Sequence, residues 1–309
     1  MNIMLDAKHK SSYQMGMNKL DLATRCQILS MLCEGSSMRS ISRITGVSIN
    51  TVTKLLVDAG EACASYHYAT VRGVKAKRVQ ADEIWSFCYA KEKNVASAKA
   101  AVVDAGDVWT WTAIDADSKL MISYMVGGRD AEVANMFMDD VADRLDGRVQ
   151  LTTDGNRVYL DAVAGAFGND IDYAMLVKLY GASPESAKGR YSPAECIGIQ
   201  KTRVTGNPDK TAVSTSYVER ANLTMRMGMR RFTRLTNAFS KKIDNHVYAL
   251  SLYFVFYNFC RIHKTLRVTP AMQAGISDTV RDMEWIVGLI DARAKKPGKR
   301  GPYKKRMAA

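Results

Sequence analysis

Between residues 79 and 127 three runs, VQADEIWSFCYA, VWTWTAI and LMISYMV, concentrate β-branched and aromatic residues, and DADS between the last two reads as a turn. Strands of this composition must pair side by side, so the centre of the chain is committed to a sheet. Helical spacing follows at Val133, Met136, Met138 and Val141, within Asp130 to Leu145. A short strand in RVQLTTDG, a helix over about 156–167 and a strand at YAMLVKLY come next. Strands followed by alternating helix and strand predict a mixed α/β sheet with flanking helices. The stretch 216–264 is expected to be mostly helix, broken at TRLTNAFS, and a last helix is expected over 270–294.

Ahead of the sheet the pattern is all helical. A first helix is predicted over Asp21 to Cys33 and a second over Met38 to Ile44, with Met38, Ile41 and Ile44 spaced for one buried face. TGVS then supplies a glycine turn and Ser48 as N-cap for a third, where Ile49, Val52 and Leu56 repeat at three and four. Two short helices joined by such a turn form a helix-turn-helix pattern. Read functionally, Asn50, Thr51 and Lys54 face base edges or phosphate, and Arg39 and Arg43 face the backbone. The basic link VRGVKAKRVQ marks a boundary near 75. The expected organisation is a flexible leader over 1–17, a small all-α DNA-binding domain over 18–74, an α/β catalytic domain over 75–292 and a basic tail over 293–309.

Charge separates the same regions. The chain of 309 residues carries a formal charge of +13, distributed as +6 over residues 1–100, −9 over 101–172 and +16 over 173–309. Basic flanks attract polyanions in a salt-dependent way, and an acidic centre between them suits a divalent cation held beside a phosphate backbone. Six cysteines contain no C-x-x-C pair, which favours free thiols over zinc or disulfides. No secretory signal pattern opens the chain, and HVYALSLYFVFYNF is too short for a membrane span. A cytoplasmic, nucleoid-associated protein that does not engage a membrane is expected.

Three acids stand out. Asp82 lies inside an apolar strand that tolerates a charge only with a partner, and neighbouring Glu83 is its rival. Asp154 closes the strand VQLTT, where open α/β sheets place ligands, although Asp before Gly is also a turn former. Glu219, in SYVERANLTMRMGMRR, fits a capping box with Ser216. Yet the helical face continues Glu219, Asn222, Arg226, Arg230, an acid followed by cations, with Arg231 and Arg234 beyond as further DNA-contacting candidates. Asp115 and Asp117 fall in the predicted hairpin turn and are set aside. Two divalent cations held by carboxylates from different elements activate a nucleophile and stabilise a leaving oxygen.

ADEIWSF, LTTDGNRVY and SYVERANLTMRMGMRRFTRLTNAFSKK resemble the three catalytic blocks of DDE insertion-sequence transposases, particularly the insertion-sequence-one type; YNFCRIHKTLRVTPAMQAGI is similar to the segment that follows the third block. The resemblance spans about residues 79 to 276. It implies a ribonuclease-H-like fold, with Asp82, Asp154 and Glu219 binding two Mg²⁺ (or Mn²⁺) ions and Asn222 and Arg226 in support. It further implies cleavage at transposon inverted repeats, joining of the freed 3′ hydroxyl to target DNA, and at least a dimer on DNA. The cysteine-rich zinc element that often begins such relatives is missing here, leaving end recognition to the helix-turn-helix. Two other readings compete. A non-catalytic DNA-binding regulator needs the helix-turn-helix but not the acids. A tyrosine recombinase using Tyr257, Arg261 and His263 lacks the separated Arg, H-x-x-R and Tyr arrangement.

Overall fold

A computed structural model describes residues 19–181, 196–233 and 238–294. The expected leader over 1–17 falls outside them, as does the basic tail apart from residues 293 and 294. The chain begins with α1 (Leu22–Cys33), α2 (Met38–Thr45) and α3 (Ile49–Thr70). Each start is capped by a side chain: Asp21 accepts from Thr24 N–H, Ser37 from Ser40 N–H and Ser48 from Asn50 N–H. Gly46, at φ +69°, ends α2 in the left-handed conformation that lacks a penalty only for glycine. On α2 the buried contact is Ile41, while Ile44 is 60% exposed, contrary to the expected Met38–Ile41–Ile44 face. The helix is only eight residues long and meets the core along a narrower stripe than the spacing suggested.

Six strands form one sheet in the order β3-β2-β1-β4-β5-β6. They are β1 (Arg78–Cys88), β2 (Gly106–Asp115), β3 (Met121–Gly127), β4 (Gln150–Thr153), β5 (Asp172–Tyr180) and β6 (Cys196–Thr205). β1, β2 and β3 are antiparallel neighbours, β4 runs parallel to both β1 and β5, and β6 returns antiparallel. The β2–β3 turn is closed by Asp115, whose carboxylate accepts from the N–H groups of Asp117 and Ser118, so the turn role expected for these acids holds. A one-turn helix, α4 (Glu92–Val95), lies between β1 and β2.

The alternation of strand side chains sorts the helices onto two faces. α5 (Ala131–Arg144) and α6 (Val158–Phe167) cover one, where Trp111 meets the rings of Phe137 and Tyr159. The inward side of α5 is Val133, Ala134, Phe137, Met138 and Val141; Met136 is 48% exposed, one position off the expected stripe. The opposite face receives α7 (Ser216–Gly228) and α8 (Ile243–Val255), the latter through Phe254 against Tyr124. α8 continues into a π-helical segment, Phe256–Cys260. Its buried Asn258 accepts from Met121 N–H and donates to Met121 C=O, both at 2.9 Å, closing part of the free edge of β3 as another strand would.

The leading helices share this core. Buried residues from Ile28 and Leu56 through Val79 to Phe254 and Ile286 form one continuous cluster. α3 lies against α8, with Gly60 facing Tyr248 so closely that an added Cβ would stand 2.3 Å from the tyrosine Cβ. The single helix expected over 270–294 is two, α9 (Pro270–Gln273) and α10 (Met283–Arg293). Thr269 caps α9 and Asp282 caps α10, so each segment starts afresh with its own N-terminal cap.

Candidate functional site

The parallel register of β1 and β4 pairs Ala81 with Thr153, and the next residues on the two strands are Asp82 and Asp154. β1 is an interior strand, flanked by β2 and β4, so Asp82 lies within the sheet and not on a solvent-facing edge. Alternation puts Asp82 on the α7 face and Glu83 on the α6 face. Asp154 sits just past the end of β4, within reach of both. One carboxylate oxygen each from Asp82, Glu83 and Asp154 lie within 4.8 Å of one another.

Each acid is held by neutral donors. Asp82 Oδ2 accepts from Asn222 Nδ2 at 2.9 Å, and Asn222 Oδ1 accepts from the Thr112 hydroxyl at 3.3 Å. Asp154 Oδ1 accepts from Asn156 N–H at 2.9 Å, the turn-forming contact of an Asp two residues upstream. Asn156 also donates its side-chain amide to Glu83 Oε1 at 2.7 Å. The Glu83 side chain is only 1% exposed. Arg129 reaches Glu83 at 3.6 Å and Asp154 at 3.7 Å, with its guanidinium over the Trp109 ring.

Glu219 stands apart from the trio. The expected capping box is not formed: α7 starts after Thr215, and Ser216 N–H bonds to the Ser214 hydroxyl. The cap comes instead from β1, where Gln80 Oε1 accepts from Tyr217 N–H at 2.8 Å and Val218 N–H at 3.1 Å. With its N–H partners supplied from the sheet, the helix leaves Glu219 free for other contacts. Its carboxylate accepts from the Thr215 hydroxyl at 2.6 Å and meets the Lys178 ammonium of β5 at 2.5 Å. Its charge still acts on Asp82. Asn222, almost one turn further along α7, touches Asp82 directly.

Burial, then the Asp154 charge, push the Asp82 carboxyl up to about 6 and the Glu83 carboxyl up to about 7. For Lys178 burial pulls the other way, but the hydrogen bond and charge of Glu219 outweigh it and leave the ammonium raised. Three clustered carboxylates, Asp82, Glu83 and Asp154, with no soft donor among them suit a hard divalent cation, which asks for oxygen ligands and keeps some of its waters. The donor set therefore fits Mg²⁺ or Mn²⁺.

Glu83 gives a pH test. Its folded pKa lies above the unfolded value, so the native state binds the extra proton and loses stability as pH rises from about 4.5 to 7. Glu83→Gln, uncharged throughout, is expected to gain on the wild type over that interval by on the order of 2 kcal/mol. Thermal unfolding in EDTA between pH 5 and 8 measures it; a constant difference between the two proteins would show that Glu83 does not carry a buried charge.

Of the DNA-contacting candidates, Arg39, Arg43, Asn50, Thr51 and Lys54 are all exposed on α2 and α3, and Lys54 pairs with Asp58. Arg226 lies on α7 beyond Asn222, Arg230 is exposed, Arg231 is half-buried, and Arg234 falls outside the described residues. Tyr257 is buried, which pushes its phenol up to about 12, the wrong direction for a nucleophile. Sequence reasoning missed Arg129, Asn156, Lys178 and Gln80, and left Glu83 as a rival to Asp82. Only Glu83 carried a local signal, as a second acid within an apolar strand.

Fold and site together define an α/β protein with an acidic, oxygen-rich centre at the carboxyl end of a parallel strand pair. No protein-family model and no curated protein matches the chain. Among solved structures it is similar to the piggyBac transposase synaptic complex with hairpin DNA, at TM-score 0.40 and 8% identity over 88% of this chain and 70% of that one. It is also similar to the Mos1 strand transfer complex, at TM-score 0.22 and 11% identity over 78% and 77%. Overlap at this level carries no residue-by-residue correspondence. Among the described residues no helix is long and apolar enough to cross a membrane.

Proposed function

We propose that the protein is a DDE-type DNA transposase with a ribonuclease-H-like catalytic sheet, in which Asp82, Asp154 and Glu219 hold two divalent cations and Asn222 orients Asp82. The observation that supports it most is the meeting of Asp82 and Asp154 from adjacent parallel strands beneath the helix that carries Glu219 and Asn222. Bound there, Mg²⁺ would supply charge neutralisation for the attacking and leaving oxygens of phosphoryl transfer. The chain's own residues do the placing. Asn156 fixes the Asp154 carboxylate and Asn222 fixes that of Asp82. Lys178 and Thr215 hold the Glu219 carboxylate in place at the rim. Arg129, 41% exposed at its side chain, stands beside the acids where a substrate phosphate would arrive.

In the same reading α2 and α3 form a helix-turn-helix that contacts transposon ends through Arg39, Arg43, Asn50, Thr51 and Lys54, and the protein works as at least a dimer on DNA. The test incubates purified protein with labelled duplexes carrying the element's ends, in Mg²⁺ or Mn²⁺ and in EDTA. Strand cleavage and joining are expected only with metal. Glu219→Gln keeps the acceptor for Thr215 but not the charge, and is expected to lose at least about 100-fold in both steps. Joining at wild-type rate by that variant would remove Glu219 from the site. Binding of the ends without any metal-dependent cleavage by the wild type would favour a regulator.

A further inference from the structure

A second site lies away from the acids, in a cleft between the α1–α2 turn, the start of α3, the segment after α7, and α8. Among the described residues its lining includes Arg39, Arg230, Arg231 and Lys241 and not one carboxylate. The cavity measures about 940 Å³, near the upper end of pockets that enclose small ligands. Phe239 and Tyr253 contribute aromatic surface to it. The arrangement inverts that of the acidic centre, which gathers carboxylates.

Arg231 is the informative residue. It is half-buried and has no carboxylate within ion-pair distance among the described residues. Burial alone pulls its guanidinium down to about 10. A chain of hydrogen bonds fixes it in place: Arg231 Nη1 donates to Ser240 Oγ at 2.6 Å, Ser240 Oγ meets His246 Nδ1 at 3.0 Å, and His246 Nε2 meets Ser86 Oγ at 3.4 Å. Ser86 in turn donates to Val108 C=O, so one direction of donation serves the whole chain. It leaves His246 neutral, with its proton on Nε2 and Nδ1 accepting from Ser240. A cation desolvated without a counter-charge is costly unless something outside the chain supplies that charge. Independently, the Tyr253 hydroxyl in the same wall is buried and has no hydrogen-bond partner among the described residues.

We propose that this cleft binds an unpaired nucleic-acid strand, its phosphate on Arg231, Arg230 and Lys241 and a base against Phe239. Phosphate suits a cleft whose described lining carries four cations and no carboxylate, and the aromatic wall adds a contact that only a base outside a duplex can make. A paired duplex presents its phosphates on a convex surface and keeps its base faces stacked. The choice of nucleic acid as the phosphate carrier rests on the transposase reading; the anion site does not. From Glu219 to Gly228, the last residue of α7 and two before Arg230, is roughly 14 Å at the rise of a helix, so a strand held in the cleft is within a few nucleotides of the acids.

The test measures binding by fluorescence anisotropy, with the full-length protein in EDTA so that no cleavage intervenes. The probes are a labelled oligothymidylate of about 15 nucleotides, a labelled duplex of the same length, and inorganic tripolyphosphate as competitor. Lys241→Glu and Phe239→Ala alter the cleft without touching the acidic centre, and circular dichroism checks their fold. Each is expected to weaken single-strand binding by about 10-fold or more while changing duplex binding by less than about 2-fold. Tripolyphosphate should displace the oligothymidylate from the wild type and from Phe239→Ala. Unchanged single-strand affinity in both variants, or equal losses for single strand and duplex, would overturn the proposal. Asp82→Asn separates the two readings, since it should bind the single strand normally. A wild type that binds through the cleft yet never cleaves DNA would sink the transposase reading and leave the cleft standing.

Discussion

Asp82→Asn is expected to reduce Mg²⁺-dependent strand cleavage by about 1,000-fold or more and, in EDTA at pH 8, to unfold at a higher temperature than the wild type. Both effects come from one property. The Asp82 carboxyl is buried beside Asp154 and pushed up to about 6, so above that pH the folded protein carries a charge that its surroundings oppose. Asparagine keeps an oxygen to accept from Asn222 and removes the charge, which is worth on the order of 2 kcal/mol. In the proposed mechanism the same substitution removes an anionic ligand that the cation pair would need. Stability and activity therefore move in opposite directions, as at sites where strain serves function. Cleavage assays and thermal melts on the same preparations decide it. A variant less stable than the wild type and equally active would make Asp82 a structural residue.

Gly60→Ala is the second large effect. The methyl would stand 2.3 Å from Tyr248 Cβ and 2.5 Å from its Cα, backbone that cannot rotate away. Alanine is normally the better helix former by about 1 kcal/mol, so the expected sign opposes propensity. Forcing α3 and α8 apart should lose about 3 kcal/mol, at the upper end of overpacking, and lower the unfolding midpoint by roughly 5–10 °C. Because α3 shares one core with the sheet, both halves of the molecule should melt together at the lower temperature. Loss of helical signal from the leading helices alone, with the sheet unaffected, would contradict that shared core.

Much of this was legible in the chain because it is local. Ser48, Gly46 and the 3.6-residue spacing of Val52 and Leu56 place α3 by capping and periodicity. The aromatic and β-branched runs place β1 to β3 by composition, and the position of Asp154 after VQLTT puts it at a strand end. What escaped depends on partners distant in sequence. Nothing near residue 216 announces that Gln80 caps α7, and YAMLVKLY gives no hint that Lys178 meets Glu219. β6 was missed because almost every residue in it is exposed, so CIGIQKTRVT reads as surface until β5 lies beside it. Ile44 and Met136 obeyed helical spacing and still pointed to solvent, since the core each helix meets is narrower than its apolar stripe. Glu219 was read through a capping box that Gln80 had made unnecessary.

The Gln80 contact reaches beyond the start of one helix. Its side chain ties the opening turn of α7 to β1 two residues before Asp82, while Asn222 fastens the same helix to Asp82 itself. Two rivets on one strand leave the helix neither sliding nor rolling freedom, so the gap between the strand acid and the helix acid is machined during folding. In the proposed site, the repulsion between Asp82 and Asp154 would then be a standing attraction for whatever cation fits between them.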